Sequence, residues 1–336
     1  MRKAFILAAV LLQVFVLAFM AGEREYILAN GEIIHLRTAP IDPRDLFRGD
    51  YVRLNYEISR VTVGDVTDAA DVKKLKKGEK VYVLLREGPN GLYEYVDARL
   101  EEPKEGVFLT GRTTYPHRRL VRGAPIWLKY GIEAFFVEQG KGRAIEKRRG
   151  NRSGVQVPLE MAIALGGNGK AVIKEYRWSP LGIGLQILRS AARTPQRSEA
   201  PTSATVRVQL SNASDQPLAI VNLPDYCSFS LEPVPWSKER WTLAYNSCEA
   251  VFPTDSHVVT LAPNETVTVD LDFSDVRWFV RADDTVSQIG TLEWSEQFRV
   301  VYRPPNEKDC RHLEQRDQIW HGHMPSRVFH GRGQID

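Results

Sequence analysis

The sequence predicts a mainly β protein with an N-terminal transmembrane helix, a β-rich domain with one helix, and a C-terminal β-sandwich. Three observations favour this fold class. The chain begins with one long apolar run, later apolar residues recur mostly with a period of two, and short strand patterns alternate with turns in the last third. The expected parts are a signal anchor (1–22), a β-rich domain (23–178), a linker (179–203) and a sandwich (204–331).

The composition excludes several classes of protein. The 336 residues are 43% hydrophobic and 26% charged, which is ordinary for a globular chain and unlike a disordered or multi-spanning one. Lysine and arginine number 45 against 42 acidic residues, a net charge of only +3. A dedicated nucleic-acid binder carries a strong basic excess, so no nucleic-acid partner is expected. No motif predicts a cofactor.

The apolar run covers residues 4–22 and is interrupted only by Gln13. As a helix it would extend roughly 28 Å, close to the thickness of a bilayer core. Arg2 and Lys3 precede it and Glu23 follows it, which predicts a cytoplasmic N-terminus and a bulk domain on the periplasmic, extracytoplasmic side.

A cleavable signal peptide is the alternative reading of this run. Cleavage after Ala21 or Gly22 would place Phe19 or Met20 where a small residue is required. The run is also longer than a normal signal-peptide core. A retained single-pass anchor is therefore favoured.

Alternating patterns predict most strands of the β-rich domain. Hairpins are expected on either side of the turns at 88–91 and 166–169, because Asn90-Gly91 and the glycines of the second turn supply the backbone freedom that tight turns need. Further strands are predicted at 32–38, 51–59, 107–112 and 126–130, and one helix at 132–149.

Short strands at regular spacing fill the C-terminal part. Together they have the pattern of an immunoglobulin-like sandwich. Three cysteines lie here, and in an oxidising compartment one disulfide is expected. The pairing Cys227–Cys248 closes the shortest loop and is therefore the favoured disulfide. Cys310 would then have a free thiol.

One motif stands out, the sequence GDYVRLNY at residues 49–56. The segment DPRDLFR precedes it at 42–48, and a second block, YGIEAFFV, follows at 130–137. Over roughly residues 1–178 the chain resembles the GDYXXLXY family of membrane-anchored bacterial proteins, which has no established activity. The resemblance therefore implies a topology rather than a chemistry, and it does not cover the sandwich.

The motif has a structural and a functional interpretation. In the structural one, Gly49 permits a tight turn and Leu54 and Tyr56 point into a core. In the functional one, charged and aromatic groups before and at the strand start form a docking surface for a partner. That surface would consist of Asp42, Arg44, Asp45, Arg48, Asp50 and Tyr51.

The sequence leaves two enzymatic or metal-handling alternatives. Gly-Asp-Tyr-Val resembles a strand of type I signal peptidases, but residues 41–48 contain no serine to act as nucleophile. Histidines are frequent near the C-terminus, and His321 and His323 are the candidate metal ligands, although their spacing fits no standard zinc pattern. They could equally lie on one face of a last strand at 318–329.

These observations favour a non-enzymatic, membrane-anchored extracytoplasmic protein that binds or assembles other components of the bacterial envelope. Its expected partners are the membrane, through the N-terminal helix, and an envelope or integral membrane protein. The alternative is an envelope enzyme or metal-handling protein with a degenerate signal-peptidase-like fold or a histidine site in the tail.

Overall fold

A computed structural model describes residues 2–38, 51–62, 75–114, 125–138, 141–150, 154–191, 203–234, 241–245, 248 and 251–335. Over these residues the chain is mainly β, with one long N-terminal helix and several antiparallel sheets. The fold class predicted from the sequence is confirmed.

The N-terminal helix α1 extends over Arg2–Asn30. Among the described residues it is the one helix long and apolar enough to cross a membrane, with a mean hydropathy of 2.5 and side chains that are exposed along its apolar part. It continues beyond the predicted anchor, because Ile27 packs against Ala164 and Val172 and so stabilises the last two turns.

The β-rich half folds around a core made by three sheets. Its sheet orders are β1-β9-β10, β2-β8 and β3-β7-β6-β4-β5, and all strand pairs are antiparallel. The elements are β1 (Glu32–Arg37), β2 (Tyr51–Arg53), β3 (Arg60–Thr62), β4 (Lys80–Glu87), β5 (Tyr93–Arg99), β6 (Val107–Thr113), β7 (Pro125–Lys129), β8 (Ala134–Phe136), α2 (Lys141–Arg149), β9 (Leu159–Leu165) and β10 (Ala171–Trp178).

Both predicted hairpins are present. Asn90 and Gly91 have φ values of 60° and 66° between β4 and β5, the left-handed geometry that the Asn-Gly pair predicts. Gly169 has φ 72° in the turn between β9 and β10.

Two of the four sheets described in the C-terminal half pack together as a sandwich. One sheet has the order β11-β12-β17, and the other has the order β14-β20-β22-β23 with β21 also on β20. Apolar residues of both sheets share one core. If β11, β12, β14, β17, β20 and β22 are read as strands A, B, C, E, F and G, the sheets are A-B-E and C-F-G, as in an immunoglobulin-like sandwich.

The strands of this half are short, and several are only two or three residues long. They are β11 (Leu181–Arg189), β12 (Thr205–Asn212), β13 (Leu218–Val221), β14 (Phe229–Pro233), β15 (Thr242–Leu243), β16 (Val258–Leu261), β17 (Thr266–Asp272), β18 (Val280–Ala282), β19 (Thr285–Ser287), β20 (Gln297–Tyr302), β21 (Met324–Pro325), β22 (Phe329–His330) and β23 (Gln334–Ile335).

Three element predictions need correction. The helix predicted at 132–149 is limited to Lys141–Arg149, because Ala134–Phe136 pairs with β2 instead. The segment predicted as a linker contains β11, which pairs with β12 and buries Leu181 and Leu185 in the sandwich core. The last strand considered at 318–329 is replaced by a short 3₁₀ turn, β21 and the start of β22.

The strand predicted at 51–59 is also shorter, since β2 ends at Arg53 and Glu57–Ser59 is a 3₁₀ turn. The chain leaves the ladder because the Leu54 N–H donates to the carbonyl of Glu133 (2.8 Å). The expected inward face is nevertheless correct, and Val52, Leu54, Tyr56 and Ile58 are all buried.

Two tyrosines tie the motif to the second sequence block. The Tyr56 hydroxyl donates to the carbonyl oxygen of Ile132 at 2.8 Å, and the Tyr130 hydroxyl donates to the carbonyl oxygen of Ile58 at 2.6 Å. Both rings are buried, so burial raises the pKa of each hydroxyl far above its usual value and keeps it a donor. The two segments therefore clamp each other through reciprocal side-chain to backbone bonds.

We expect Tyr56→Phe to lower the free energy of unfolding by about 1–2 kcal/mol, because the buried carbonyl of Ile132 loses its donor. Urea denaturation of the purified chain measures this change. Tyr93→Phe is the matched control, because its hydroxyl meets Glu32 at the surface (3.2 Å). Equal stabilities of the two variants would contradict the clamp.

Candidate functional site

A large open groove lies between the end of α1 and the β-rich half, with a volume of about 1360 Å³. One wall is a single face of α1, formed by Met20, Glu23, Arg24 and Ile27 at helical spacing. The other walls come from β6, β7, the residues after β2 and the turn between β9 and β10. The groove is therefore placed where the chain passes from its apolar helix to its polar body.

Basic side chains dominate the charged lining of this groove. Its acidic residues are Glu23, Glu102 and Glu133, and its basic residues are Arg24, Arg53, Lys77, Lys80, Arg112, Lys129 and Lys170. Two of the carboxylates already have partners. Glu23 pairs with Lys170, and Glu133 accepts the backbone N–H groups of Tyr130 (2.5 Å) and Gly131 (3.1 Å).

The sheet register places three of these cations in a row. Lys80 on β4 lies opposite Arg112 on β6, and Arg112 lies opposite Lys129 on β7. Opposite residues of antiparallel neighbours project on the same face, and like charges placed this way repel. All three are exposed, and Arg112 donates to the carbonyl oxygen of Gly78 at 2.9 Å. We call these three residues the cation row.

The motif contributes directly to the groove through Arg53, Leu54 and Asn55, which line it. The backbone of Tyr51 pairs with Phe136 in the β2–β8 ladder. The predicted turn residue Gly49 and the predicted docking residues Asp42, Arg44, Asp45, Arg48 and Asp50 lie outside the described residues.

A second site joins the two halves of the chain around His323. Its imidazole Nδ1 lies 3.0 Å from Glu94 Oε1, and its Nε2 lies 3.7 Å from Glu57 Oε2. Arg37 donates from Nη1 to the His323 carbonyl, and Asn90 donates from Nδ2 to the His321 carbonyl. A cavity of about 220 Å³ adjoins this cluster and is lined by Arg37, both carboxylates and His323.

Further charges surround this second site. Glu160 is buried between Arg177 Nε (2.7 Å) and Arg37 Nη2 (3.8 Å), and Arg177 also donates to the carbonyl of Asn90 (2.7 Å). Arg299 faces Glu57, and burial lowers the pKa of its guanidinium. We call His323, Glu57, Glu94, Arg37 and Arg299 the inter-half cluster.

The carboxylates change the titration of His323. Burial alone would lower its pKa, but the neighbouring carboxylates of Glu57 and Glu94 outweigh burial and raise the pKa to about 9. The hydrogen bond to His323 lowers the pKa of Glu94. Burial opposes ionisation of Glu57, yet the contacts with His323, Arg37 and Arg299 lower its pKa. At neutral pH the cluster thus contains an imidazolium between two carboxylates.

The two predicted metal ligands do not converge on a common point in this arrangement. His323 contacts the carboxylates, whereas His321 Nδ1 lies 3.2 Å from the carbonyl oxygen of Pro305. Within the described ranges no group of three or more histidine, cysteine, aspartate or glutamate side chains is arranged to hold a metal ion.

Cys227 and Cys248 form a disulfide, the pairing that closes the shortest loop, and Cys310 is a buried free thiol. Burial raises the pKa of Cys310 and keeps it protonated.

Sequence reasoning missed both the cation row and the inter-half cluster. Lys80, Arg112 and Lys129 belong to three separate strand patterns, and only the strand register brings them together. His323 was identified for metal binding, while Glu57 and Glu94 gave no local signal.

We expect the free energy of unfolding to fall as pH rises through about 9, by roughly 3 kcal/mol at most. The folded-state pKa of His323 is above the unfolded value, so its contribution is fully present below about 6.5 and is lost above the folded value. Glu57 and Glu94 have lowered pKa values, so their contribution is present above about 4.5 and is lost as pH falls further.

Denaturant unfolding of the wild type and of His323→Gln between pH 6 and pH 10 measures how steeply the free energy of unfolding falls with pH. His257→Gln is the matched control, because His257 contacts Thr254 and lies outside the cluster. The fall in the free energy of unfolding should be smaller in His323→Gln than in the wild type and in His257→Gln. An equal pH dependence of the free energy of unfolding in all three proteins would show that titration of His323 does not cause it.

The comparisons with known proteins identify one family. Residues 13–175 match the sequence model of the GDYXXLXY protein family. No curated protein and no solved structure matches the chain. The matched region includes α1 from residue 13, the groove-lining motif and the β-rich half as far as β10. The family that the motif at 49–56 suggested is thus matched over residues 13–175, just under half of this chain.

Proposed function

We propose that this chain is a non-enzymatic, single-pass membrane protein whose β domains lie on the extracytoplasmic side and bind other envelope components. The observation that carries the proposal is the basic groove of about 1360 Å³ at the end of α1. Large concave sites are where soluble and membrane-bound ligands are most often held. Here the excess of cations favours an acidic ligand.

The charge around α1 supports the proposed orientation. Arg2 and Lys3 precede the apolar run, whereas Glu23 and Glu25 follow it, and positive charge is retained on the cytoplasmic side. The disulfide Cys227–Cys248 agrees with an oxidising compartment.

The six residues of the docking surface remain part of the proposal. Asp50 is three positions before Arg53, which lines the groove. We therefore propose that a partner seated in the groove also contacts this docking surface.

Site-directed cross-linking on intact spheroplasts tests both the orientation and the groove. Lys80→Cys places a thiol in the groove, and Arg281→Cys places one on an exposed strand of the sandwich as the matched control. The native cysteines do not react with the thiol reagent, because Cys227 and Cys248 form a disulfide and Cys310 is buried. The reagent is a membrane-impermeant maleimide that carries a photo-activated group.

We expect both variants to be labelled from outside and only Lys80→Cys to form a specific cross-linked product with an envelope component. Failure of both to label in intact spheroplasts, with labelling after lysis, would contradict the extracytoplasmic orientation. Identical products from the two positions would contradict a binding role for the groove.

A further inference from the structure

We infer that the groove binds the phosphate-bearing headgroup of an anionic lipid in the leaflet where α1 leaves the membrane. The inference rests on the proposed function and names the ligand of the same groove. It depends on three observations, which are the level of the groove, its unpartnered cations and its mixed lining.

The first observation is where the groove begins along α1. The apolar run of the helix ends at Gly22, and the first acidic residue is Glu23. Charged residues mark the boundary between the hydrocarbon and the headgroups. Met20 and Ile27 both line the groove, and a helix rises about 1.5 Å per residue, so its helical wall is roughly 10 Å long and extends across this boundary. That is the depth of lipid headgroups.

The second observation is the state of the cations. Among the described residues, Arg24, Lys77, Lys80 and Lys129 have no carboxylate within ion-pair distance. Lys80 and Lys129 also flank Arg112 in the cation row, where neighbouring like charges oppose sheet formation. Repulsion among the three cations lowers the stability of the free protein, and an anion bound across the row would relieve this repulsion. A phosphodiester near the row would be attracted by three cations at once.

The third observation is that the lining is not wholly polar. Met20, Trp127 and Ala171 line the groove together with the cations, and all three side chains are at least partly exposed. A lipid presents the same combination, because its phosphate is attached to a glycerol backbone and apolar chains. A soluble phosphate would leave these apolar side chains uncovered.

Native mass spectrometry of the full chain in a neutral detergent tests the inference. The probes are phosphatidylglycerol, phosphatidylcholine with the same acyl chains, and soluble glycerol 3-phosphate. The variant Lys80→Gln/Lys129→Gln removes both ends of the cation row. Its matched control, Arg281→Gln/Lys308→Gln, removes the same charge from exposed positions of the sandwich.

We expect the wild type and the control to bind phosphatidylglycerol in preference to phosphatidylcholine. The groove variant should bind phosphatidylglycerol on the order of tenfold more weakly, because two attractions to the headgroup are lost. Its melting temperature should equal or exceed that of the wild type, because repulsion in the row is relieved.

Four results would overturn the inference. They are equal binding of the two lipids by the wild type, unchanged binding by the groove variant, binding of glycerol 3-phosphate as tight as that of the lipid, and a lower melting temperature of the groove variant. Equal binding of the two lipids together with a specific cross-linked protein product from Lys80→Cys would assign the groove to an acidic protein segment. Because the assay uses purified protein, its outcome is independent of the orientation tested in spheroplasts.

Discussion

The packing of Ile27 against β9 and β10 is the contact on which the position of the groove depends. Ile27 is buried against Ala164 and Val172, so the last turns of α1 are part of the domain core rather than a flexible stalk. Gly31 allows the chain to turn directly into β1, because a β-carbon there would lie 2.5 Å from the carbonyl oxygen of Ile27. Because the junction between α1 and β1 is fixed, the depth of α1 in a bilayer would determine how far the groove lies from the hydrocarbon.

The reciprocal tyrosine bonds explain why the motif is built as it is. Leu54 and Tyr56 point into the core, and Tyr56 holds the second block through Ile132. Arg53 and Asn55 alternate to the other side and line the groove. The same short segment therefore stabilises the β-rich half with one set of side chains and presents the other set to the groove.

The two halves are joined by charge as well as by sequence. Glu57 and Glu94 come from the β-rich half, and His323 and Arg299 come from the sandwich. A division of the chain into two units remains a proposal. β11 shifts its boundary toward Ser179, since this strand is part of the sandwich sheet. The cluster makes the contact between the halves dependent on pH, because both signs of charge must be present.

The sequence predicted those features that depend on neighbouring residues. Alternation predicted the buried face of Val52, Leu54 and Tyr56, and Asn90-Gly91 predicted a hairpin, because strand faces and tight turns are local properties. The helix at 132–149 was overestimated, because pairing of β8 with β2 overrides a local preference. The groove was not predicted, since it requires α1 and three sheet strands to be placed relative to one another.

The central claim is that the groove lies at the membrane surface, and the depth of a nitroxide label in a nanodisc tests it most directly. The label is attached through Lys77→Cys in the groove and, for comparison, through Arg281→Cys in the sandwich. Electron paramagnetic resonance saturation then compares collisions with oxygen, which enters the bilayer, and with a water-soluble nickel chelate. The account predicts headgroup-depth values for the groove label and bulk-water values for the control. Bulk-water values at both positions would contradict it.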